Sequence, residues 1–226
     1  MALIENAKGR RVGQSPSGYT RLFGITALGN LMSRVQGAVI SSGNELEDMI
    51  WERVAHPIAD LDEFLTTTLH SEEDKMYVAT KAQVKKCKTI NSKYEPDFIA
   101  FHPKTRHCYI VEVKDGDTFD TKKSAGEHTT LQNFNYDISQ SLPYSTSIHM
   151  CCFNSPTREE AWHGLKKKFT LQELLTGREL GTLFGYDYDE IVEVRTSDQQ
   201  GNLDYFVRAI LAIDNIRNMI IKRLKS

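Results

Sequence analysis

The chain contains no apolar run close to the ~20 residues that a membrane-spanning helix needs, and Met1 to Arg11 carry no apolar stretch of the signal-peptide kind. Membrane insertion and export are therefore not expected, and a cytoplasmic protein is. Cysteine is scarce. Cys87, Cys108, Cys151 and Cys152 form no C-x-x-C pair, and the seven histidines are scattered singly. The paired short spacings of a structural zinc site are thus missing. Cys151 and Cys152 are adjacent in an apolar run and should point to opposite faces of a strand, so four reduced thiols are expected. Neither charge sign is in excess: 28 basic and 30 acidic residues leave a net charge of −2. Three catalytic signatures are also absent, the G-x-S-x-G elbow, the phosphate-cradling G-x-x-x-x-G-K-S/T loop and H-E-x-x-H. A bound nucleotide cofactor is not expected.

What is present is ordinary for a globular protein, with 40% hydrophobic and 26% charged residues over 226 positions. That length fits a single domain spanning 1–226. The basic residues are clustered, and local clusters matter more to an anionic partner than the total. Arg10 and Arg11 lie in a Gly/Ser-rich stretch. Lys81, Lys85, Lys86 and Lys88 crowd one segment, Lys122 and Lys123 a second, and Lys166 to Lys168 a third. Each such run is a solvated face unless other residues give it a purpose.

Apolar spacing predicts a helix within 21–41, through Leu22, Ile25, Leu28, Leu31 and Val35. A second helix is expected from Asn44, as N-cap, to about Val54, with Pro57 closing it. Segment 61–90 has no clear pattern. If 78–88 is helical, Lys81, Lys85 and Lys88 share a face. Phe98 to Phe101 and Cys108 to Val113 read as two strands of a hairpin, joined by a turn over Pro103 to Arg106. Leu131, Phe134, Ile138 and Leu142 mark one face of a following helix, and Ile148 to Phe153 is short enough for a buried strand. Thr170 and Glu173 make a capping box. Ile191 to Val194 is expected as a strand and Leu203 to Leu224 as one long helix. Helices flanking a small mixed sheet define an α/β architecture.

The chemistry lies on the hairpin. Pro96-Asp97 opens its first strand, and Glu112-Val113-Lys114 closes the second. Glu112 and Lys114 are two apart and project from one face, and the hairpin brings Asp97 beside them. Two carboxylates and an amine at a strand end suit phosphodiester hydrolysis. Mg²⁺ takes oxygen ligands and keeps several waters, so one or two carboxylates hold it, and the Val113 carbonyl offers a further oxygen. Such a metal polarises the phosphate and acidifies a bound water. Lys114 orients that water and stabilises developing charge. An isolated E-x-K strand is usually a solvated face, but this ordered set is much rarer.

With P-D-F-I-A-F and Y-I-V-E-V-K as the matching residues, the chain resembles the PD-(D/E)xK nuclease superfamily. The resemblance implies a restriction-endonuclease-like fold, a mixed central sheet flanked by helices with the catalytic hairpin at one edge. It implies Asp97, Glu112 and Val113 as Mg²⁺ ligands and Lys114 as the water-serving amine. An acidic residue on a preceding helix is common in the superfamily, and Glu47 fits that place better than Glu45. The segment 115–123 resembles a stretch of type II restriction endonucleases that lies near DNA, which makes Lys122 and Lys123 candidate DNA contacts, with Lys85, Lys88, Arg10 and Arg11 as others. The pair Gln132 and Tyr136 resembles a feature of exonuclease-type relatives, but Asn133 departs from it, and a partly exposed helix face explains the pair better.

These motifs span about residues 43–153, taken as the catalytic core, with the remainder serving DNA recognition and dimerisation. The expected protein is a homodimeric type II restriction endonuclease acting on double-stranded DNA with Mg²⁺. Its rivals are a repair or junction-resolving nuclease with the same chemistry and a non-catalytic DNA-binding module. The ~70 residues beyond Phe153 favour a sequence reader that needs surface for base contacts.

Overall fold

A computed structural model describes residues 2–9, 15–68, 71–116 and 118–226. The chain divides into two compact units, one of Met1–Leu46 with Asp189–Ser226, the other of Glu47–Tyr188. Among the described residues no helix is long and apolar enough to cross a membrane.

The first unit is helical. A short α1 (Gly18–Phe23) is capped by the Ser17 hydroxyl, which accepts from the Thr20 N–H. It stops at Gly24, whose φ of 68° is the left-handed conformation that glycine adopts without penalty. The long α2 (Thr26–Trp51) contributes residues to both units. Near the chain ends, the Asn202 carboxamide accepts from the Ile4 N–H at 2.7 Å and donates to the Ala2 carbonyl at 3.0 Å.

Three sequence expectations fail here. The break expected at Gly43-Asn44 does not occur, and α2 runs straight through it. Glycine and asparagine inside a helix each cost only about 1 kcal/mol or less, and the buried Leu46 and Ile50 on the same helix outweigh that. Ile191 to Val194 is not a strand but part of α8 (Tyr188–Leu211). β-branched residues are only weakly averse to helices, and the acidic first turn of Asp189 and Glu190 favours helix initiation there. The expected single C-terminal helix is in fact the end of α8 and a separate α9 (Asp214–Leu224).

The second unit holds the sheet. Its elements are α3 (Leu61–Thr67), β1 (Tyr77–Thr80), α4 (Lys81–Lys86), β2 (Phe98–His102), β3 (His107–Lys114), α5 (Thr121–Ser139), β4 (Ser145–Cys152), α6 (Arg158–Gly164), β5 (Leu174–Thr176) and α7 (Gly177–Phe184). Strand order follows the chain, β1-β2-β3-β4-β5. β1, β2 and β3 pair antiparallel, while β3, β4 and β5 pair parallel through crossovers that contain α5 and α6. This is the α/β mixed sheet that the residue pattern predicts. The hairpin is where it was expected, but it is not at an edge. β1, drawn from the patternless segment, covers β2, and β4 covers β3. The pattern was hidden because β1 has only four residues, too few to show an alternation.

One face of the sheet is closed by α5. Ile99, Phe101, Cys108, Ile110, Met150 and Cys152 share a core with Leu131, Phe134 and Ile138, all essentially inaccessible. The capping box at Thr170 and Glu173 is present and starts a single 3₁₀ turn, Leu171–Glu173, before β5. All four cysteines are buried and free, and burial pushes the Cys108 and Cys151 thiols up. Cys151 and Cys152 occupy successive positions of β4, on opposite faces.

Candidate active site

The strand register decides what meets at the end of the hairpin. Phe98 pairs with Val111, so Asp97 sits one step before the ladder, level with the last residues of β3. Its Oδ2 accepts the Val113 N–H at 2.9 Å, a buried bond across the hairpin. Its own carbonyl accepts the Lys81 N–H at 2.9 Å, which pins the first turn of α4 to the start of β2. Asp97 is 5% exposed. Only its second oxygen, Oδ1, has no hydrogen bond within the protein among the described residues, and it lies 4.0 Å from the Lys81 ammonium.

Glu112 and Lys114 project from the same face of β3, as the two-residue period requires. Lys114 Nζ donates to Glu112 Oε1 at 2.6 Å, and α5 brings Glu127 Oε1 to 3.2 Å from the same ammonium. The Glu112 and Lys114 side chains are mostly covered, at 14% and 21% exposure. Glu47, near the C-terminal end of α2, completes the group.

The electrostatics are those of a crowded anionic site. Burial, reinforced by the charge of Glu47, raises Asp97, while the Val113 N–H, Lys114 and Lys81 hold it partly down. Burial and the charge of Asp97 raise Glu112 in the same way, against the pull of Lys114. Glu47 is raised by burial, with Lys81 opposing and Glu112 adding to the rise. For Lys114, burial works against the charge, but Glu112, Glu127 and Asp97 together outweigh it and hold the ammonium protonated. Like charges have been gathered where water is scarce, and an added cation would relieve them.

Sequence reasoning missed two participants. Glu127 lies four residues before Leu131 and seven before Phe134, on the stripe that faces the sheet. A carboxylate on a buried stripe was the available signal. Lys81 reaches Asp97 only because the segment 61–90, patternless in sequence, forms β1 and α4.

The other basic candidates are dispersed. Lys85 is 70% exposed and pairs with Glu95 at 3.3 Å. Lys88 lies beyond the end of α4, so the expected shared face of Lys81, Lys85 and Lys88 does not form. The helix stops at Lys86 because the Asp62 carboxylate captures the N–H groups of Lys88 and Thr89. Lys122 and Lys123 are exposed in the first turn of α5, which Asp120 caps, and the Lys123 ammonium stands 5.3 Å from the Phe119 ring centroid. Gln132 and Tyr136 are exposed on α5 and take no part in the site. Arg10 and Arg11 lie outside the described residues.

Compared along its whole length with curated proteins, the chain proves to be a relative of a restriction endonuclease, and it belongs to that family, the type II restriction enzymes. The relative is the type II restriction enzyme HhaII of Haemophilus parahaemolyticus, 38% identical over 228 residues that cover 98% of this chain and 99% of HhaII. No family model matches the chain. No solved structure matches it either.

Proposed function

We propose that this protein is a Mg²⁺-dependent endonuclease of the PD-(D/E)xK type, which hydrolyses phosphodiester bonds in double-stranded DNA at a specific sequence and works as a homodimer. The observation that carries this reading is the hairpin end itself. Asp97 is pinned to the Val113 N–H while Lys114 is held against Glu112.

The donor set fits Mg²⁺. It consists of hard carboxylate oxygens whose mutual repulsion a divalent cation relieves. Among the described residues no three His, Cys, Asp or Glu side chains converge as a metal cluster; Mg²⁺ keeps several of its waters and needs only one or two carboxylates. Asp97 and Glu112 are the ligands, the Val113 carbonyl adds an oxygen, and Glu47 is a helper. Bound there, the ion would polarise the phosphodiester and acidify a coordinated water.

The protein's own groups do the rest. Asp97 stays fixed because its Oδ2 accepts from the backbone, which leaves Oδ1 for the ion. Lys114 Nζ, protonated and caged by carboxylates, donates to the attacking water and to oxygen that gains charge in the transition state. Lys122 and Lys123, on an exposed helix start, contact phosphates without reading bases.

One Asp97/Glu112/Lys114 set serves one scissile phosphate at a time. Cutting both strands therefore calls for a second set, which a two-fold axis supplies in keeping with duplex symmetry. On α9, Met219 and Leu224 are exposed apolar side chains suited to such a contact.

Incubating plasmid DNA with the protein and Mg²⁺ tests the reading. Discrete fragments are expected, none in EDTA and none from Asp97→Ala, which should still shift duplex DNA when Ca²⁺ replaces Mg²⁺. Normal turnover by Asp97→Ala would remove it from the metal site. Cutting confined to branched DNA would favour a junction-resolving enzyme. Sedimentation with cognate duplex should give two chains per DNA.

A further inference from the structure

Beside the hairpin end, within the second unit, lies a cleft of about 530 Å³ whose walls include the carboxylates Glu47, Asp48, Glu95 and Asp97 and the ammonium groups of Lys81 and Lys85. That volume is in the range of sites that take nucleotide-sized ligands. The two lysines nearest the carboxylates are in opposite circumstances. Lys114 is sequestered, hydrogen-bonded to Glu112 and paired with Glu127. Lys81 is half-exposed, and its ammonium lies 4.0 Å from Asp97 Oδ1, too far for a hydrogen bond. Among the described residues that ammonium has no hydrogen-bond acceptor, so its three protons are uncommitted. Lys85, one helical turn on, is occupied by Glu95 at 3.3 Å.

The backbone root of Lys81 is fixed as well. Its N–H is bonded to the Asp97 carbonyl. The preceding Thr80 and Gln83 form a capping box, and the Gln83 carboxamide is tied in turn to the Ile58 carbonyl. The root of the side chain is therefore fastened to the same residue whose carboxylate it overlooks.

We propose that this cleft receives the phosphodiester backbone of the cleaved DNA strand, and that Lys81 is a further catalytic residue, donating from Nζ to a non-bridging oxygen of the phosphate beside Asp97. The proposal rests on the nuclease reading above. It adds a second cationic contact, on the Asp97 side of the phosphate, to the one supplied by Lys114. Lys81 neither forms nor breaks a covalent bond. It offsets negative charge that the four carboxylates of the site would otherwise repel.

The test uses the full chain and the variants Lys81→Met and Lys81→Arg. Cleavage is measured on plasmid with Mg²⁺. Binding is measured with Ca²⁺ over a range of salt, on a short duplex spanning a cleavage site mapped with wild-type protein. Lys81→Met should fold with an unchanged thermal midpoint and lose about 100-fold in kcat, comparable to deleting one transition-state donor. Its slope of log K against log salt should be shallower by about 0.9, one phosphate contact. Lys81→Arg should keep the wild-type slope and recover most of the rate. Wild-type rate and slope in Lys81→Met would overturn the proposal and leave the nuclease reading standing. A slow Lys81→Met with an unchanged slope, and no rescue by arginine, would also overturn it, since Lys81 would then act only by tuning Asp97. A wild-type protein that leaves DNA uncut removes the nuclease reading and this proposal with it.

Discussion

Glu127 Oε1 stands 3.2 Å from Lys114 Nζ, so the ammonium is shared between a carboxylate on α5 and Glu112 on its own strand. The two partners differ in what else they are asked to do. Glu112 is a proposed metal ligand, and whatever binds it loosens its hold on Lys114. Glu127 has no such second task and keeps the amine in place.

In the proposed mechanism Glu127 is accordingly a positioning residue. Glu127→Gln should lower kcat roughly 10-fold with DNA affinity in Ca²⁺ unchanged, which corresponds to about 1.4 kcal/mol on the barrier. Because Glu127 helps raise Lys114, its loss should also move the alkaline limb of the pH–rate profile to lower pH. A purely structural role would leave that limb in place. In a Lys114→Ala background the same substitution should cost nothing further.

A stability prediction follows from Asp97. Burial and then Glu47 raise its carboxyl from the ordinary 3.8 to about 6. A carboxyl raised in the folded state binds more protons folded than unfolded, so it lowers stability as pH climbs. The cost is absent below about pH 4, grows through the window up to about 6, and is full above it. Metal-free Asp97→Asn should therefore be more stable than wild type at pH 8, by on the order of 2 kcal/mol, and no more stable at pH 4. Thermal melts in EDTA at both pH values decide it, and equal midpoints at pH 8 would sink the idea.

Lys122 and Lys123 carry a different expectation. Each is exposed at the start of α5. Lys122→Ala and Lys123→Ala should each weaken DNA binding and flatten its salt dependence by about 0.9 in slope, with little change in kcat. If both variants keep affinity and slope, these lysines are simply solvated.

The chemistry-bearing hairpin was legible in the linear order of residues. Two β-rich runs around a proline turn can pair only as neighbours, and a side-chain period of two places Glu112 and Lys114 on one face without any knowledge of the rest. The helix with Leu131, Phe134 and Ile138 was equally legible, since its spacing names the buried stripe. Other features depended on packing over long separations in sequence. Ile191 to Val194 looks like a strand in isolation and is a helix in context. Gly43-Asn44 looks like a break and is not, because the burial of Leu46 and Ile50 outweighs local preference. The hairpin's place inside the sheet depended on β1, which is too short to show an alternation.

The site divides in the same way. Residue order alone determined that Asp97, Glu112 and Lys114 form one group, because strand pairing is local and its period is fixed. Tertiary structure alone decided that Asp97 accepts from Val113, that Glu127 arrives over the crossover to share Lys114, and that the Lys81 ammonium stands 4.0 Å from Asp97. A turn or a period is set by neighbours in the chain. The approach of a helix to a strand end is set by which apolar faces bury each other, and no spacing in the sequence records that choice.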